Sequence, residues 1–152
     1  MTLHVDVAVD PALRLPLARE RARELAERVL RAEGARRAVL SLTFLPDKQM
    51  AALNRRHLGH AGPTDVIAFP LAAPAAMAPM GGDVYVGAES ARTNARLAGV
   101  TWREELARLV VHGVLHVLGH DHPAGEARLH SSMWARQERL LGRLFAAPVR
   151  AR

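Results

Sequence analysis

The sequence predicts an α+β fold in which one domain is built from a small sheet packed against helices. Three observations lead to this prediction: apolar residues alternate at the N-terminus, helical spacing of apolar residues follows, and short strand-like and helix-like segments mix along the chain. With 152 residues, of which 49% are hydrophobic, the chain is long enough for one hydrophobic core and too short for two large ones. We therefore expect residues 1–152 to form a single domain.

The chain begins with a predicted strand, a helix and a second strand. Residues 2–9 alternate between apolar and polar side chains, which predicts a half-buried strand. Residues 16–33 place alanine, leucine and valine at helical spacing, and Gly34 ends that pattern, so we expect an amphipathic helix with an arginine-rich outer face. Residues 38–45 predict the second strand.

The middle of the chain combines shorter elements with turns. Asp47 is a suitable N-cap for a short helix that extends to about His57, and the sequence GHAGPT breaks the chain after it. We expect strands at residues 66–69 and 81–87. Residues 71–80, between them, are rich in alanine, proline and methionine without a period, which indicates a surface loop.

Helical patterns dominate the last third of the chain. Residues 89–98 predict a helix that Gly99 terminates. Thr101 and Glu104 fit a capping box, in which each side chain accepts a hydrogen bond from the other residue's backbone N–H. The helix that begins here is apolar on every side over residues 109–118 except at its histidines, so we expect it to pass through the core.

A final helix is predicted to begin after Pro123 and to end before a short basic tail. Helical spacing places five of its side chains on one stripe: Leu129, Met133, Gln137, Leu140 and Leu144.

The composition limits the chemistry that the chain can perform. It contains no cysteine, which excludes disulfides and thiolate ligands, so any transition metal must be bound by carboxylates or by some of the eight histidines. No basic segment precedes an apolar one at the N-terminus, and no apolar run approaches the roughly 20 residues that span a bilayer. We therefore expect a cytoplasmic protein without a membrane partner.

The net charge of +6 permits two interpretations. A cationic surface favours RNA or DNA as a partner, because binding to phosphates releases counterions. However, all but one of the 21 basic residues are arginines, with Lys48 the exception, and alanine is abundant, as expected of a GC-rich genome. Since the arginines are also spread along the chain without a dense basic tail, charge alone leaves both interpretations open.

Four histidines lie within the eleven residues HGVLHVLGHDH, and they predict a metal site. His112 and His116 are four residues apart, so on a helix their rings share one face and can bind one ion. His120 is a poor third ligand, because a straight helix would separate it from His112 by roughly 12 Å, whereas donors around an ion at ~2.1 Å lie a few ångströms apart. Gly119 can instead end the helix in the left-handed conformation and return His122 to the first two rings.

The resulting pattern, H-x-x-x-H-x-x-G-x-x-H, has the ligand spacing of metzincin-type sites and predicts a zincin-like metal helix through the core. Three histidine ligands leave a coordination position open, as in catalytic zinc sites. Two alternatives remain: the histidines satisfy backbone carbonyls without an ion, or His120 or Asp121 closes the site as a fourth ligand. We favour Asp121 as a residue that holds the turn or orients a ligand from outside the coordination sphere.

Gly113 occupies the position at which H-E-x-x-H proteases have the glutamate that takes a proton from the metal-bound water. A peptidase would therefore lack its general base. A metal alone can still lower the pKa of bound water to about 7. This chemistry suits RNA, whose 2′-hydroxyl lies beside the scissile phosphate and whose negative charge is attracted to a metal and to arginine.

Three motifs stand in order along the chain. Leu53 and Asn54 are followed by PTDVIAFP, Gly82 and Asp83 precede a predicted strand, and HGVLHVLGHDH contains the histidines. Together they resemble the motifs of the bacterial YbeY-type rRNA maturation endoribonucleases. That family has a leucine-asparagine pair followed by PTDVLSFP, a Gly-Asp pair that begins the last strand, and the zinc motif HGxLHLxGxDH, from which Val117 is a mild change. Chain length and element order are similar over nearly the whole sequence.

The resemblance implies an α+β fold with a small, mostly four-stranded mixed sheet and a metal between a central helix and a cleft. It implies His112, His116 and His122 as ligands of one Zn²⁺ per chain, although such sites also accept nickel or cobalt. The implied activity is zinc-dependent cleavage of single-stranded RNA, in 16S rRNA 3′-end maturation and ribosome quality control. The implied partners are the 16S rRNA 3′ region, the small ribosomal subunit and one of its proteins, and an Era-type GTPase.

One position departs from the family's pattern. Many members have an arginine five residues before PTD, proposed to contact RNA, and Leu58 stands there in this sequence. Arg55 and Arg56, on the preceding helix, either replace it as substrate-binding residues or are ordinary surface arginines. The endoribonuclease is the first hypothesis, and the leucine gives weight to an alternative function, that of a ribosome-assembly factor with weak or no nuclease activity and a mainly structural metal. A zinc peptidase is a third hypothesis.

Overall fold

The structure, a computed structural model, describes residues 2–71, 80–122 and 125–145. The strands in these ranges are β1 (Thr2–Val9), β2 (Arg37–Leu45), β3 (Val66–Pro70) and β4 (Met80–Gly87). The α-helices are α1 (Arg19–Ala32), α2 (Asp47–Leu53), α3 (Ala88–Ala98), α4 (Trp102–Val117) and α5 (Ser132–Leu144). A π-helical turn (Asn54–Leu58) extends α2, and a 3₁₀ turn (Gly125–His130) precedes α5.

The sheet contains four strands in the order β1-β2-β4-β3. β1 pairs with β2, and β2 with β4, in parallel, whereas β3 runs antiparallel to β4 at the edge. Parallel pairs need long connections, and α1 supplies the one between β1 and β2. The prediction of an α+β fold with a small mixed sheet is confirmed. Of the loop predicted at residues 71–80, residues 72–79 lie outside the described residues, and Met80 already belongs to β4.

One face of the sheet is covered by helices. Alternate residues of β2 are buried against them: Ala38, Leu40, Leu42 and Phe44. Val39, on the other face, is 45% exposed. Helix α4 packs against β3, β4, α1, α3 and α5, and ten of its 16 residues are buried, which confirms the predicted helix through the core. Among the described residues, neither α4 nor any other helix is long and apolar enough to cross a bilayer.

Two helices near the N-terminus begin at other residues than predicted. α1 begins at Arg19, after an extended Ala18 that serves as its N-cap. Asp47 is the first residue of α2 rather than its N-cap, which is Pro46. The backbone N–H of Asp47 donates to the Glu89 carboxylate at 2.6 Å. The partner for this helix end therefore comes from α3, a tertiary contact that the local sequence does not reveal.

The last helix also begins later than predicted. The 3₁₀ turn stands between Pro123 and α5, and Ser131 caps α5 by accepting a hydrogen bond from the backbone N–H of Trp134 at 3.1 Å. Leu129 lies in the 3₁₀ turn, away from the predicted stripe, whereas Gln137 on that stripe is buried. The serine cap, rather than the proline, sets the beginning of this helix.

Gly113 allows α4 to lie close to the sheet. A Cβ atom at this position would lie 2.4 Å from Val84 Cγ1 of β4 and 3.4 Å from Val66 Cγ2 of β3. The first distance is well below the van der Waals contact distance of carbon atoms, so a larger residue would force the Val84 side chain, the helix or the strand to shift. Steric fit therefore requires a glycine where H-E-x-x-H proteases have glutamate.

We expect Gly113→Ala to destabilise the protein by about 1–3 kcal/mol, the usual cost of overpacking a core. Gly142→Ala is the matched control, because Gly142 also lies in a helix but a Cβ atom there would meet nothing within 4 Å. The control should be neutral or stabilising by up to about 1 kcal/mol. The free energy of unfolding is measured by urea denaturation.

Two outcomes would contradict the steric explanation. One is an equal effect of the two substitutions. The other is an equal loss of unfolding free energy from Gly113→Ala in the wild type and in a Val84→Ala background. That background removes the methyl group that the new Cβ would meet, so the loss should be smaller there.

Candidate metal centre

Helix α4 ends in a turn that returns the chain toward the helix's own histidines. The backbone N–H of Gly119 donates to the His116 carbonyl at 3.0 Å, and that of His120 donates to the Leu115 carbonyl at 3.0 Å. These two bonds form a Schellman motif, which requires the left-handed conformation at Gly119, with φ of 102°. The turn predicted at Gly119 is confirmed, and it leads the chain directly to His122.

Three histidine rings meet at this end of α4. The ring centroids of His112 and His116 are 4.7 Å apart, and the His122 centroid lies 5.0 and 4.9 Å from them. One ring nitrogen of each residue lies within 4.8 Å of the other two. Imidazole nitrogens at this spacing fit a transition-metal ion and leave coordination positions for other ligands. The three residues are therefore a candidate metal site, and the role of each one as a ligand stays a prediction.

Asp121 and His120 lie outside this group of three. Asp121 Oδ1 accepts a hydrogen bond from the backbone N–H of His122 at 2.9 Å, a contact within the turn, and the role of Asp121 at the site stays a prediction. His120 Nε2 lies 2.8 Å from Glu33 Oε1. Within the described residues, neither candidate for a fourth ligand is placed to close the site.

Gln137 of α5 orients the His112 ring. Gln137 is 1% exposed, and its Nε2 donates to Glu138 Oε2 at 2.9 Å. Because a carboxylate can only accept, the amide oxygen faces His112, where Oε1 lies 2.6 Å from Nδ1. Nδ1 of His112 therefore has the proton, and Nε2 is free for an ion. The sequence placed Gln137 on the apolar stripe but did not reveal this role; an amide among leucines and a methionine was the available signal.

Burial keeps two of the rings neutral. It lowers the pKa of His112 to about 4, an effect that the nearby His116 and His122 reinforce and the hydrogen bond with Gln137 opposes. Burial also lowers the pKa of His116, with a further contribution from His122. A neutral imidazole retains the lone pair that a metal ion needs.

A half-buried carboxylate anchors the turn to the rest of the protein. Glu33, directly after α1, interacts with His120 and accepts a hydrogen bond from Arg136 Nε of α5 at 2.6 Å. Burial opposes ionisation of Glu33, but the hydrogen bonds with Arg136 and His120 outweigh it and lower its pKa. The turn, α1 and α5 are thus joined at one ionised side chain.

The three histidines line a cleft of about 800 Å³, and the PTD motif contributes to another wall. Asn54 Nδ2 donates to the Gly62 carbonyl at 2.9 Å, which closes the loop before the motif. Asp65 of the motif accepts a hydrogen bond from Asn94 Nδ2 of α3 at 2.9 Å. The family-like residues outside the histidine motif therefore fix the wall of the cleft.

Arg108, which also lines the cleft, is held by three carboxylates. Its nitrogens lie 2.8 Å from oxygens of Glu104, Glu105 and Glu138, and its side chain is only 14% exposed. This network joins α4 to α5 at the cleft.

The capping box predicted at the beginning of α4 is half formed. The Glu104 backbone N–H donates to Thr101 Oγ1 at 3.0 Å, while the Glu104 carboxylate binds Arg108.

The π-helical turn places its residues differently with respect to the cleft. Leu58 lines the cleft and is 48% exposed. Arg55 and Arg56 are exposed but are not among the described residues that line it. The structure therefore does not bring these two arginines together with the histidines, and their binding of substrate stays a prediction.

Comparison with known proteins gives the family. The family model described as Endoribonuclease YbeY matches residues 12–145. The chain belongs to the endoribonuclease YbeY family. Endoribonuclease YbeY of Pelotomaculum thermopropionicum is 39% identical over 144 residues, which cover 91% of this chain and 90% of that protein. Endoribonuclease YbeY of Methylocella silvestris is 37% identical over 110 residues, which cover 72% of this chain and 61% of that longer protein.

A solved structure has a similar fold. The solution structure of TM1509 from Thermotoga maritima has a TM-score of 0.64 and 25% sequence identity, covering 93% of this chain and 89% of that chain. The predicted resemblance to YbeY-type endoribonucleases is confirmed by the family match, and this membership supports an endoribonuclease role.

We expect Gln137→Met to weaken zinc binding by about 10- to 100-fold, because methionine fills the space but offers His112 Nδ1 no carbonyl oxygen. The dissociation constant is measured by competition with a chromophoric chelator. Leu140→Met is the matched control, since Leu140 is fully buried on the same helix. Equal zinc affinities of the two variants would show that Gln137 does not orient the ligand.

We expect the metal-free protein to lose stability as the pH falls from about 6.5 toward 4. In that range the unfolded chain takes up a proton on His112 that the folded chain resists, so the unfolding free energy decreases with falling pH. His112→Gln should reduce this dependence, as measured by urea denaturation at a series of pH values. A variant with the same pH dependence as the wild type would contradict the assignment to His112.

Proposed function

We propose that this chain is a zinc-dependent endoribonuclease that cleaves single-stranded RNA. The observation that most directly supports the proposal is the convergence of three histidines in an open cleft, in a member of the endoribonuclease YbeY family. His112, His116 and His122 would hold the ion. Imidazole donors without thiolates suit zinc, and nickel or cobalt can take its place in vitro.

The folded chain sets the protonation and orientation of these side chains without an ion. His112 and His116 are neutral because of burial, Gln137 fixes the orientation of one ring, and Asp121 holds the turn before His122. When bound, the ion supplies Lewis acidity toward a phosphoryl oxygen and lowers the pKa of water.

RNA suits the cleft better than a peptide does. At Gly113, where a protease has its glutamate base, a Cβ atom already meets Val84, so a carboxylate has no space there. RNA brings its own hydroxyl group next to the scissile bond, and its phosphates are attracted to a chain of net charge +6.

In the cell, we place this activity in the cytoplasm, in 16S rRNA 3′-end maturation and ribosome quality control. The partners that we propose are the 16S rRNA 3′ region, the small ribosomal subunit with one of its proteins, and an Era-type GTPase. The support for this role is the similarity of the three sequence motifs to those of YbeY-type enzymes.

One observation favours a second candidate function. Leu58 lines the cleft at the position where the family pattern has an arginine, so that position offers no charge to a phosphate. The alternative is a ribosome-assembly factor that binds RNA or protein and uses the metal mainly for its fold.

The decisive experiment is cleavage of a labelled single-stranded RNA by metal-stripped protein, before and after addition of one equivalent of zinc. We expect zinc to restore cleavage in the wild type and not in His116→Ala, which should fold but lack one proposed ligand. His4→Ala is the matched control, because His4 is an exposed histidine on β1, and it should behave as the wild type.

The alternative predicts another result. If no sample cleaves RNA while zinc still raises the melting temperature, the metal serves the fold and the endoribonuclease proposal is overturned.

A further inference from the structure

Two arginines line the cleft among the described residues, and one of them is already occupied. Arg108 is held at 2.8 Å by each of Glu104, Glu105 and Glu138. A phosphate could approach its guanidinium only by displacing one of these carboxylates. Arg108 is therefore unavailable as a phosphate-binding residue.

Arg128 is the second arginine of the lining, and it differs from Arg108 in its surroundings. It belongs to the 3₁₀ turn that follows His122 closely in the chain, and its side chain is exposed. Within the described residues, no carboxylate lies within ion-pair distance of its guanidinium. Leu129, the next residue, also lines the cleft, so this part of the turn faces the histidines' cavity.

We propose that Arg128 binds a phosphate of single-stranded RNA in the cleft, a role that the sequence suggested for Arg55 or Arg56. This inference rests on the proposed function. Arg55 and Arg56 are exposed too, but neither is among the described residues that line the cleft. A guanidinium donates two parallel hydrogen bonds to phosphate oxygens, which fixes the position of the backbone as well as attracting it.

The position of Arg128 also provides a function for the 3₁₀ turn. Ser131 caps α5 and its hydroxyl donates to the Arg128 carbonyl at 2.7 Å, so the backbone of Arg128 is fixed while its side chain remains exposed. The same turn lies between the last histidine of the metal site and α5, which provides Gln137. A phosphate bound at Arg128 therefore lies in the same cleft as the metal site.

The test measures RNA binding separately from cleavage. The zinc-loaded protein is titrated into a fluorescent single-stranded 2′-O-methyl oligonucleotide, whose integrity is checked on a gel, at several salt concentrations. We expect Arg128→Ala to weaken binding and to make the slope of log affinity against log salt shallower by about 0.7, the value for one lost phosphate contact with a single strand. Arg128→Lys should restore the slope, because lysine retains the charge.

Arg55→Ala and Arg56→Ala are the matched controls, because each removes the same charge from an exposed position outside the cleft lining. We expect the slope of the wild type for both. Melting temperature and bound zinc are measured for every variant, so that loss of fold is recognised.

The outcomes separate this inference from the proposed function. If the wild type cleaves RNA but Arg128→Ala binds with the wild-type slope, or with the slope of Arg55→Ala, the role of Arg128 is overturned and the nuclease proposal stands. If the wild type neither cleaves RNA nor binds the oligonucleotide, the proposed function is overturned, and the role of Arg128 with it.

Discussion

The close approach of α4 to β4 at Gly113 is the constraint on which the site depends. Without a side chain at this position, the helix lies against Val84, and its neighbouring residues fill the space between the sheet and the other helices. The same contact determines where His112 and His116 emerge at the cleft. It also removes the space that a protease uses for its glutamate. The glycine that lets α4 pack against the sheet therefore marks a position with no space for a glutamate side chain.

The candidate metal site is held by parts of the chain that are distant in sequence. α4 provides two rings, a left-handed turn at Gly119 returns the third, and α5 provides the amide of Gln137 that orients the first. Glu33 joins that turn to α1 and α5, and Arg108 joins α4 to α5 on the cleft side. Because each support is a hydrogen bond or ion pair between different elements, the donors are positioned by the folded protein itself and need little rearrangement to accept an ion.

Local patterns predicted the features that local forces determine. Alternation identified the first strand, and the spacing of the histidines with Gly119 predicted both the cluster of three rings and the turn that completes it. Features set by distant partners were missed: Asp47 finds the acceptor for its N–H on another helix, and the partner of Gln137 is 25 residues away. Arg128 was not recognised because it lies in a turn without a period, and only the folded chain shows which side of that turn faces the cleft.

The distribution of the supports has a consequence for how an ion acts on the equilibrium between folded and unfolded chains. His112, His116 and His122 lie within eleven residues, and the turn at Gly119 belongs to the end of α4, so the three donors need only this helix and its turn to meet. The amide of Gln137 reaches His112 only when α5 is packed on α4, so the orientation of that ring is a property of the native state. An ion that depends on this orientation would bind the native protein more tightly than a partly folded chain, and would stabilise the native state by mass action as its free concentration rises.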